Sequence, residues 1–236
     1  MPQEQVEEYL ETVYNIGGKD GIVRTTEIAK SLHVSPASVT ESLQNLARRR
    51  LVDYEPYLGA RLTDRGLDLV EKLKRKHRLL EEFISDVLHI DKEKVHAEAC
   101  RMEHCISDDV ADALCKLLKA PSRCPHGSLI GPCGKAVETC EQCETTPLGK
   151  TGSSSRTSKI VPITELEPNQ EGTIAFLRGD RRTVQRLADL GLTLKTRVRL
   201  IRRAPLNGPV EVSVRRTRLA IAGNIADDVF VVRAEA

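Results

Sequence analysis

Apolar side chains recur at helical spacing through the first fifty residues of the chain. Val6, Leu10 and Val13 fall on one face of a helix, and the acidic side chains of the same segment fall on the other. A Gly-rich break follows, and the stretches TTEIAKSLHV and SPASVTESLQNLARRR predict two further helices. Ser35 fits the N-cap of the last of these helices, and Pro36 fits its first helical position.

Two short strands are predicted directly after these helices. In LVDYEPYLGARLT, β-branched and aromatic residues flank a turn that runs from Pro56 to Gly59. Two helices followed by a β-hairpin are typical of a winged helix-turn-helix, in which the second helix lies in the major groove of DNA. We therefore assign residues 1–75 to a winged helix-turn-helix domain.

The rest of the chain divides into a helical part, a linker and a small β domain. Thr63 or Asp64 is placed to cap a long helix, and two more helices are predicted within residues 91–120. Residues 145–159, rich in Gly, Ser, Thr and Pro, favour a flexible tether between residues 76–144 and residues 160–236. Alternating valines beyond residue 209 predict strands around one short helix. The expected fold is mainly α, with a C-terminal β-barrel.

Composition narrows the class of protein. Of the 236 residues, 40% are hydrophobic and 30% are charged, and no leader or long apolar run is evident, so we expect a cytoplasmic protein without membrane contact. The seven cysteines are an odd number that clusters between residues 100 and 143, which in a reducing compartment indicates metal or redox thiols. The net charge of +2 by itself does not indicate a nucleic-acid partner.

The third helix supplies the expected DNA contacts. The short side chains near its start are candidates for reading base edges, and they are Ser35, Ala37, Ser38, Thr40 and Glu41. Arg48 at its end and Arg61 in the wing are candidates for phosphate contacts. The alternative is that these arginines are only solvent-exposed cations, which suit the negative end of the helix dipole. Because one winged helix makes few contacts, specific binding predicts a homodimer on a palindromic operator in double-stranded DNA.

One predicted helix, VHAEACRMEH, combines four side chains that can bind a metal. At about 100° per residue, His96, Cys100, Glu103 and His104 fall within a single arc of about 100°. A polar helix face can also collect such residues by chance. An enzyme with Cys100 as nucleophile and His104 as base is a further alternative, but no Gly-rich elbow or oxyanion site accompanies them, so we expect no enzyme.

Several motifs together resemble the diphtheria-toxin-repressor family of metal-dependent repressors. They are EEYLETVY, SPASVTESLQNL, RKHRLLEEF, VHAEACRMEH and CPHG, in this order. The C-terminal part, with RLADLGL and RAPLNGPVEVSVRRTRLAI, is similar to the SH3-like domain of ferrous-transport protein A. The resemblance implies a dimer that binds its operator when Fe²⁺ or Mn²⁺ is present. An accessory role in ferrous iron transport, carried by the C-terminal domain, is the alternative.

The resemblance also implies which residues hold the regulatory ion. Iron-type members would use Cys100, Glu103 and His104 as a primary site, with an ancillary site at His77, Glu81 and His96. Manganese-type members carry an acidic residue at the position of Glu8, and their pattern adds Glu11 and His77. The predicted site is therefore a hybrid. Because a thiolate favours softer ions, Cys100 shifts the expected preference toward Fe²⁺ over Mn²⁺.

A second metal site is a hypothesis for the Cys-rich stretch. Cys140 and Cys143 have the two-residue gap that lets two thiolates bind one ion, and Cys124 and Cys133 would complete a four-cysteine site with His126 as substitute. The other gaps match no standard zinc-ribbon or ferredoxin spacing. The open alternatives are a structural Zn²⁺, an iron–sulfur cluster that would make the protein a redox-responsive regulator, or unligated thiols.

Overall fold

The N-terminal domain of the computed structural model is a winged helix-turn-helix, as predicted. The structure describes residues 1–135, 137–145, 160–206 and 208–234. The domain contains α1 (Gln3–Gly17), α2 (Thr25–Leu32), α3 (Pro36–Arg48), β1 (Val52–Glu55) and β2 (Gly59–Leu62). The hydroxyl of Ser35 accepts a hydrogen bond from the Ser38 backbone amide at 3.1 Å, which confirms the cap of α3.

A continuous apolar core joins α1, α2, α3 and the hairpin. Leu10, Ile28 and Leu43 are fully buried in it, at the positions that the helical spacing predicts. Residue Val23 adds an isolated antiparallel bridge to the hairpin at Ala60. These contacts hold α3 against the wing while its first turn remains exposed.

The helical domain contains α4 (Asp64–Asp86), α5 (Lys92–Met102) and α6 (Asp108–Leu117). The hydroxyl of Thr63 caps α4 by accepting a hydrogen bond from the Gly66 amide. Helix α4 contacts α1, α5 and α6, so it links the DNA-binding domain to the helical domain. The prediction of one helix through His104 needs a correction, because α5 ends at Met102 and His104 lies in the following turn.

A loop segment and a short helix, α7 (Cys140–Thr145), follow α6. The apolar side chains of Cys133 and Val137 pack against Phe176 and Phe230 of the C-terminal domain. The predicted tether at residues 145–159 lies, beyond its first residue, outside the described residues.

The C-terminal domain is an antiparallel sheet around its own apolar core. Its elements are β3 (Ile160–Pro162), a 3-10 turn (Ile163–Glu165), β4 (Glu171–Leu177), α8 (Arg181–Asp189), β5 (Arg197–Arg203), β6 (Val210–Val214), β7 (Thr217–Ile221), α9 (Gly223–Ala226) and β8 (Val229–Arg233). The strand order is β3-β8-β4-β5-β6-β7. Register shifts in β4 and β5 mark β-bulges, which bend a sheet.

The predicted closed barrel is corrected to an open sheet. In the described part of the chain no ladder joins β3 to β7, the two ends of the strand order. Strand β3 is only three residues long and turns directly into the 3-10 helix, so it pairs with β8 alone. The one short helix that the sequence predicts among these strands is confirmed as α8.

A buried arginine, Arg178, and a half-buried one, Arg123, join the C-terminal domain to the helical domain. The Arg178 guanidinium donates to the Ile130 carbonyl at 2.5 Å and lies over the Phe230 ring at 4.8 Å. Arg123 donates to the carboxylate of Asp227, whose exposure is 1%. None of the described helices is long and apolar enough to cross a membrane.

Candidate metal centre

His77 on α4 is the centre of a cluster of metal-binding side chains. Its Nδ1 lies 2.7 Å from Glu103 Oε2, and its Nε2 lies 3.1 Å from both His96 Nδ1 and Glu81 Oε1. Glu103 and Glu81 are 3% exposed, although carboxylates are seldom buried without partners. Helices α4 and α5 therefore bring imidazole and carboxylate groups together across their interface.

The thiol of Cys100 belongs to the same cluster. Its Sγ lies 3.9 Å from His77 Nδ1 and 3.7 Å from His96 Nε2. Because His96 and Cys100 are four residues apart on α5, they share one helix face, as the sequence predicts. One donor atom from each of the three side chains lies within 4.8 Å of the others, a spacing that suits a shared ion.

Glu81 connects this cluster to a second group of donors. Its Oε1 lies 3.2 Å from His96 Nδ1 and 2.9 Å from His126 Nδ1. Cys124 completes a set with Glu81 and His126 in which one donor atom from each residue lies within 4.8 Å of the others. The structure thus brings Cys124 and His126 next to the cluster around His77, where the sequence analysis had placed them in a separate cysteine site.

Helix α1 contacts the cluster through Glu7. Glu7 Oε2 lies 2.7 Å from His104 Nδ1, and His104 Nε2 lies 3.5 Å from Glu103 Oε1. The carboxylate of Glu11 is close enough to raise the pKa of Cys100. Glu8, which the family resemblance predicts as a ligand, is exposed, and its role as a ligand stays a prediction.

Glu7 is the residue that the sequence analysis missed. Glu7 and Glu11 are four residues apart and hence share a face of α1, whereas Glu8 is turned by about 100° from Glu7. Glu8 is three residues from Glu11, a spacing that also places two side chains on one helix face, so helix spacing does not separate the two adjacent glutamates. The contact itself joins residues that are 97 positions apart, so no local pattern encodes it.

Charges within the cluster favour bound protons when no cation is present. Burial opposes the charged form of His77, but its hydrogen bond to Glu103 and the charge of Glu81 raise the pKa of the imidazole. Burial and the nearby carboxylates of Glu103 and Glu11 raise the pKa of Cys100 to about 11. A divalent cation would compete with these protons for the same atoms. Nitrogen, oxygen and sulfur donors together fit a first-row transition metal.

The predicted DNA-reading side chains lie at the exposed start of α3. Ser35, Ala37, Ser38 and Glu41 are exposed. Thr40 is half-buried, and its hydroxyl donates to the Pro36 carbonyl at 2.9 Å. Two exposed basic residues flank this surface, and they are Arg48 at the end of α3 and Arg61, which pairs with Asp53 in the wing. Base and phosphate contacts of these residues stay predictions.

A winged helix, a donor cluster on the adjoining helices and a small C-terminal sheet together define a metal-responsive DNA-binding regulator. Residues 1–60 match the iron dependent repressor N-terminal DNA binding domain, and residues 63–131 match the metal binding and dimerisation domain of the same repressors. Residues 161–233 match the FeoA domain. The chain belongs to the iron-dependent, diphtheria-toxin-repressor family and is a metal-dependent transcriptional repressor, which confirms the resemblance stated from its motifs.

Individual relatives agree with this assignment. The HTH-type transcriptional regulator MntR of Oceanobacillus iheyensis is 35% identical over 114 residues, which cover 48% of this chain and 77% of the relative. The diphtheria toxin repressor of Corynebacterium glutamicum is 29% identical over 202 residues, or 83% of this chain and 82% of the relative. The crystal structure of ScaR with bound Cd²⁺ is 27% identical, with a TM-score of 0.50 over 99% of this chain and 100% of that one. These families and relatives are transcriptional repressors rather than enzymes.

Proposed function

We propose that this repressor responds to intracellular Fe²⁺ in preference to Mn²⁺ and binds a palindromic operator as a homodimer to control metal-uptake genes. The observation that carries the metal preference is the Cys100 thiol, which lies 3.9 Å from His77 Nδ1 and 3.7 Å from His96 Nε2. Hard Mn²⁺ favours oxygen donors, whereas a thiolate favours a softer ion.

Five side chains are the proposed primary ligands of the regulatory ion. They are His77, Cys100, Glu103, His104 and Glu7. Glu81 and His96, with His126 and Cys124 beside Glu81, form the neighbouring ancillary set. A bound divalent cation would supply positive charge to the carboxylates and the thiolate, in place of the protons that His77 and Cys100 hold without it.

The coupling to DNA follows from where these ligands are attached. Glu7 belongs to α1 of the DNA-binding domain, and His104 follows α5 of the helical domain. A ligand shifts a conformational equilibrium only through its different affinity for the two states. We infer that the state in which Glu7 and His104 are close fixes the winged helix relative to the dimerisation domain. That state positions the two recognition helices of a homodimer for both halves of the operator.

Exposure and charge support α3 as the element that enters the major groove. Ser35, Ser38 and Glu41 offer short polar groups at the exposed N-terminal turns, and Arg48 and Arg61 offer cations at the flanks. Short side chains suit close approach to base edges, whereas arginines suit phosphates. We place this activity in the cytoplasm, where the operator would be.

Operator binding in the presence and absence of metal tests the proposal. A duplex is first selected from random sequence by binding to the Mn²⁺-loaded protein, and its affinity is then measured at one salt concentration with chelator, Mn²⁺ and anaerobic Fe²⁺. Either ion should raise the affinity at least about tenfold, or about 1.4 kcal/mol, over the chelated protein. Equal affinity in all three conditions would contradict the proposal.

The Cys100→Glu variant tests the preference for iron in the same assay. Replacing the soft ligand with a hard one should lower the ratio of the Fe²⁺ response to the Mn²⁺ response. Cys105→Ser is the matched control, because Cys105 is an exposed thiol five residues along the chain with no place in the cluster. An unchanged ratio in Cys100→Glu would show that Cys100 is not a ligand.

A further inference from the structure

Four thiols face one small cavity, between α6 and the Cys-rich segment, that the regulatory cluster does not use. The cavity has a volume of about 40 Å³. Its cysteines are Cys115 on α6, Cys133 in the loop, and Cys140 and Cys143 on α7. Cys124 is not part of its lining, since it lies beside Glu81 and His126. Cys115 therefore takes the place that the sequence analysis gave to Cys124.

Electrostatic interactions connect the four thiols. The hydrogen bond that the Cys143 thiol donates to the Cys133 sulfur, together with burial, raises the pKa of Cys143. Burial raises the pKa of Cys140 to about 11, and the neighbouring Cys115 and Cys133 act in the same direction. The thiols thus form one group in which each thiol is electrostatically linked to at least one other.

Buried positive charge surrounds the cavity in excess of negative charge. Arg75, Arg178 and Lys135 are each no more than 6% exposed. Asp112 is the acidic residue of the lining, and it pairs with Arg75 at 3.2 Å and with Lys135 at 3.3 Å. Arg178 pairs with Asp228 at 3.8 Å, so two carboxylates face three buried cations. Buried charges are normally paired, so one positive charge is left to be offset.

Arg75 gives the sharpest sign of a missing anion. Its Nε and Nη2 are buried, and no hydrogen-bond acceptor reaches them within the part of the chain that the structure describes. The Cys115 sulfur lies beside the same guanidinium and favours its charged form. A neutral thiol is a weak acceptor, whereas a metal-bound thiolate is negatively charged and accepts hydrogen bonds from such donors.

We infer that Cys115, Cys133, Cys140 and Cys143 form a second metal site that holds one soft divalent cation of the Zn²⁺ class as a tetrahedral tetrathiolate. Each thiol gives its proton to solvent as its sulfur bonds to the ion, and no oxidant or reductant takes part. Four thiolates and one divalent cation carry a net charge of −2, and the positive charge that Asp112 and Asp228 leave uncompensated on Arg75, Arg178 and Lys135 would offset part of it.

Four cysteines can hold either a single tetrahedral ion or an iron–sulfur cluster. Tetrahedral coordination by four cysteines is a common form of structural zinc site.

The proposed metal site would stabilise the contact between the helical domain and the C-terminal domain. Cys133, Cys140 and Cys143 pack against the cluster that contains Phe176 and Phe230 of the C-terminal domain, whereas Cys115 belongs to α6. An ion held by all four thiols would therefore fix the Cys-rich segment between the helical and C-terminal domains. Metal binding can supply folding free energy that a short loop cannot obtain from packing alone.

Cobalt substitution in the full chain tests this inference. A Cys100→Ser/Cys124→Ser background removes both thiols of the regulatory cluster and leaves Cys105 with the four proposed ligands. Co²⁺ should give the thiolate charge-transfer bands and the visible bands of a tetrahedral tetrathiolate, and Zn²⁺ should abolish them at one equivalent. Serine at position 115, 133, 140 or 143 should weaken or remove these bands. Cys105→Ser should retain them.

Thiol protection provides a second measurement that does not depend on the folding of each variant. In the background protein, Zn²⁺ should protect the four proposed ligands from alkylation while Cys105 reacts, and strong chelation should expose them. Protection that omits Cys115, or cobalt bands unchanged by Cys115→Ser, would overturn the inference. So would iron with sulfide in protein prepared without oxygen, or a Cys133–Cys143 disulfide with no metal. The regulatory response can fail or succeed independently of these readouts.

Discussion

The His77→Ala variant should bind its regulatory ion at least about 100-fold more weakly than the unaltered repressor. His77 contacts Glu81, Glu103, His96 and Cys100, so its removal deletes the donor that the primary and ancillary sets share. Loss of a residue that only orients a ligand already costs about 10–100-fold in metal affinity, and loss of a ligand should cost at least the upper value. Competition with a fluorescent chelator measures the affinity directly.

His89→Ala is the matched control, because His89 is exposed and lies outside the cluster. It should bind metal as the unaltered chain does. Because His77 lies on α4 between two packed helices, circular dichroism is used to check that both variants keep their helices. Unchanged metal affinity in His77→Ala would remove the basis for the proposed centre.

Glu7→Gln should lose the metal-dependent gain in operator affinity, whereas Glu8→Gln should keep it. The amide keeps the size of the side chain but removes the negative charge that faces His104 at 2.7 Å. Without that charge, His104 of the helical domain binds α1 more weakly. The metal-dependent gain in operator affinity, about tenfold or about 1.4 kcal/mol, should therefore disappear. Operator affinity with Mn²⁺ and with chelator gives the measurement.

The two variants distinguish the ligand that the structure indicates, Glu7, from the ligand that the family pattern indicates, Glu8. Glu7 is half-buried against the cluster and Glu8 is exposed, although they are adjacent in the chain. Metal affinity should remain measurable in Glu7→Gln because His77, Cys100 and Glu103 are unchanged. The opposite outcome, with Glu8→Gln losing the response and Glu7→Gln keeping it, would restore the ligand assignment that the resemblance implies.

The local elements of the fold could be predicted because their signals are local. The Ser35–Pro36 start of α3, the hairpin turn ending at Gly59 and the Thr63 cap of α4 each depend on residues within one or two turns. Gly59 illustrates the principle. Its φ of 129° is disfavoured for other residues, and a Cβ there would lie 2.3 Å from the Val23 carbonyl oxygen.

The arrangement of the metal ligands could be predicted only in part. The spacing of His96 and Cys100 is a property of one helix, but the contact of Glu7 with His104 depends on how α1 packs near the end of α5. The family pattern selected Glu8 because it compares only which residue type stands at each position. How α1 is turned relative to its neighbours, which leaves Glu8 exposed, depends on the packing of the folded chain.

Local sequence patterns also could not predict which residues the cysteines contact. Spacing in the sequence groups Cys124 with the later cysteines, yet the structure directs Cys124 toward Glu81 and brings in Cys115 from α6. Cys115 has no nearby cysteine or histidine in the sequence that would mark it as a ligand. Its relation to the other thiols arises from the packing of α6 against the Cys-rich segment and becomes visible only with Arg75 and Asp112 around it.

Thermodynamic reciprocity between the two ligands tests the central claim, that the cluster around His77 couples metal to DNA. If metal raises the affinity for the operator by a given factor, the operator must raise the affinity for metal by the same factor. Mn²⁺ affinity should be measured with and without a saturating amount of the selected duplex, at the salt concentration used for DNA binding. We predict an increase of at least about tenfold, equal to the gain in DNA affinity. A Mn²⁺ affinity that stays the same when the duplex is bound would contradict the account.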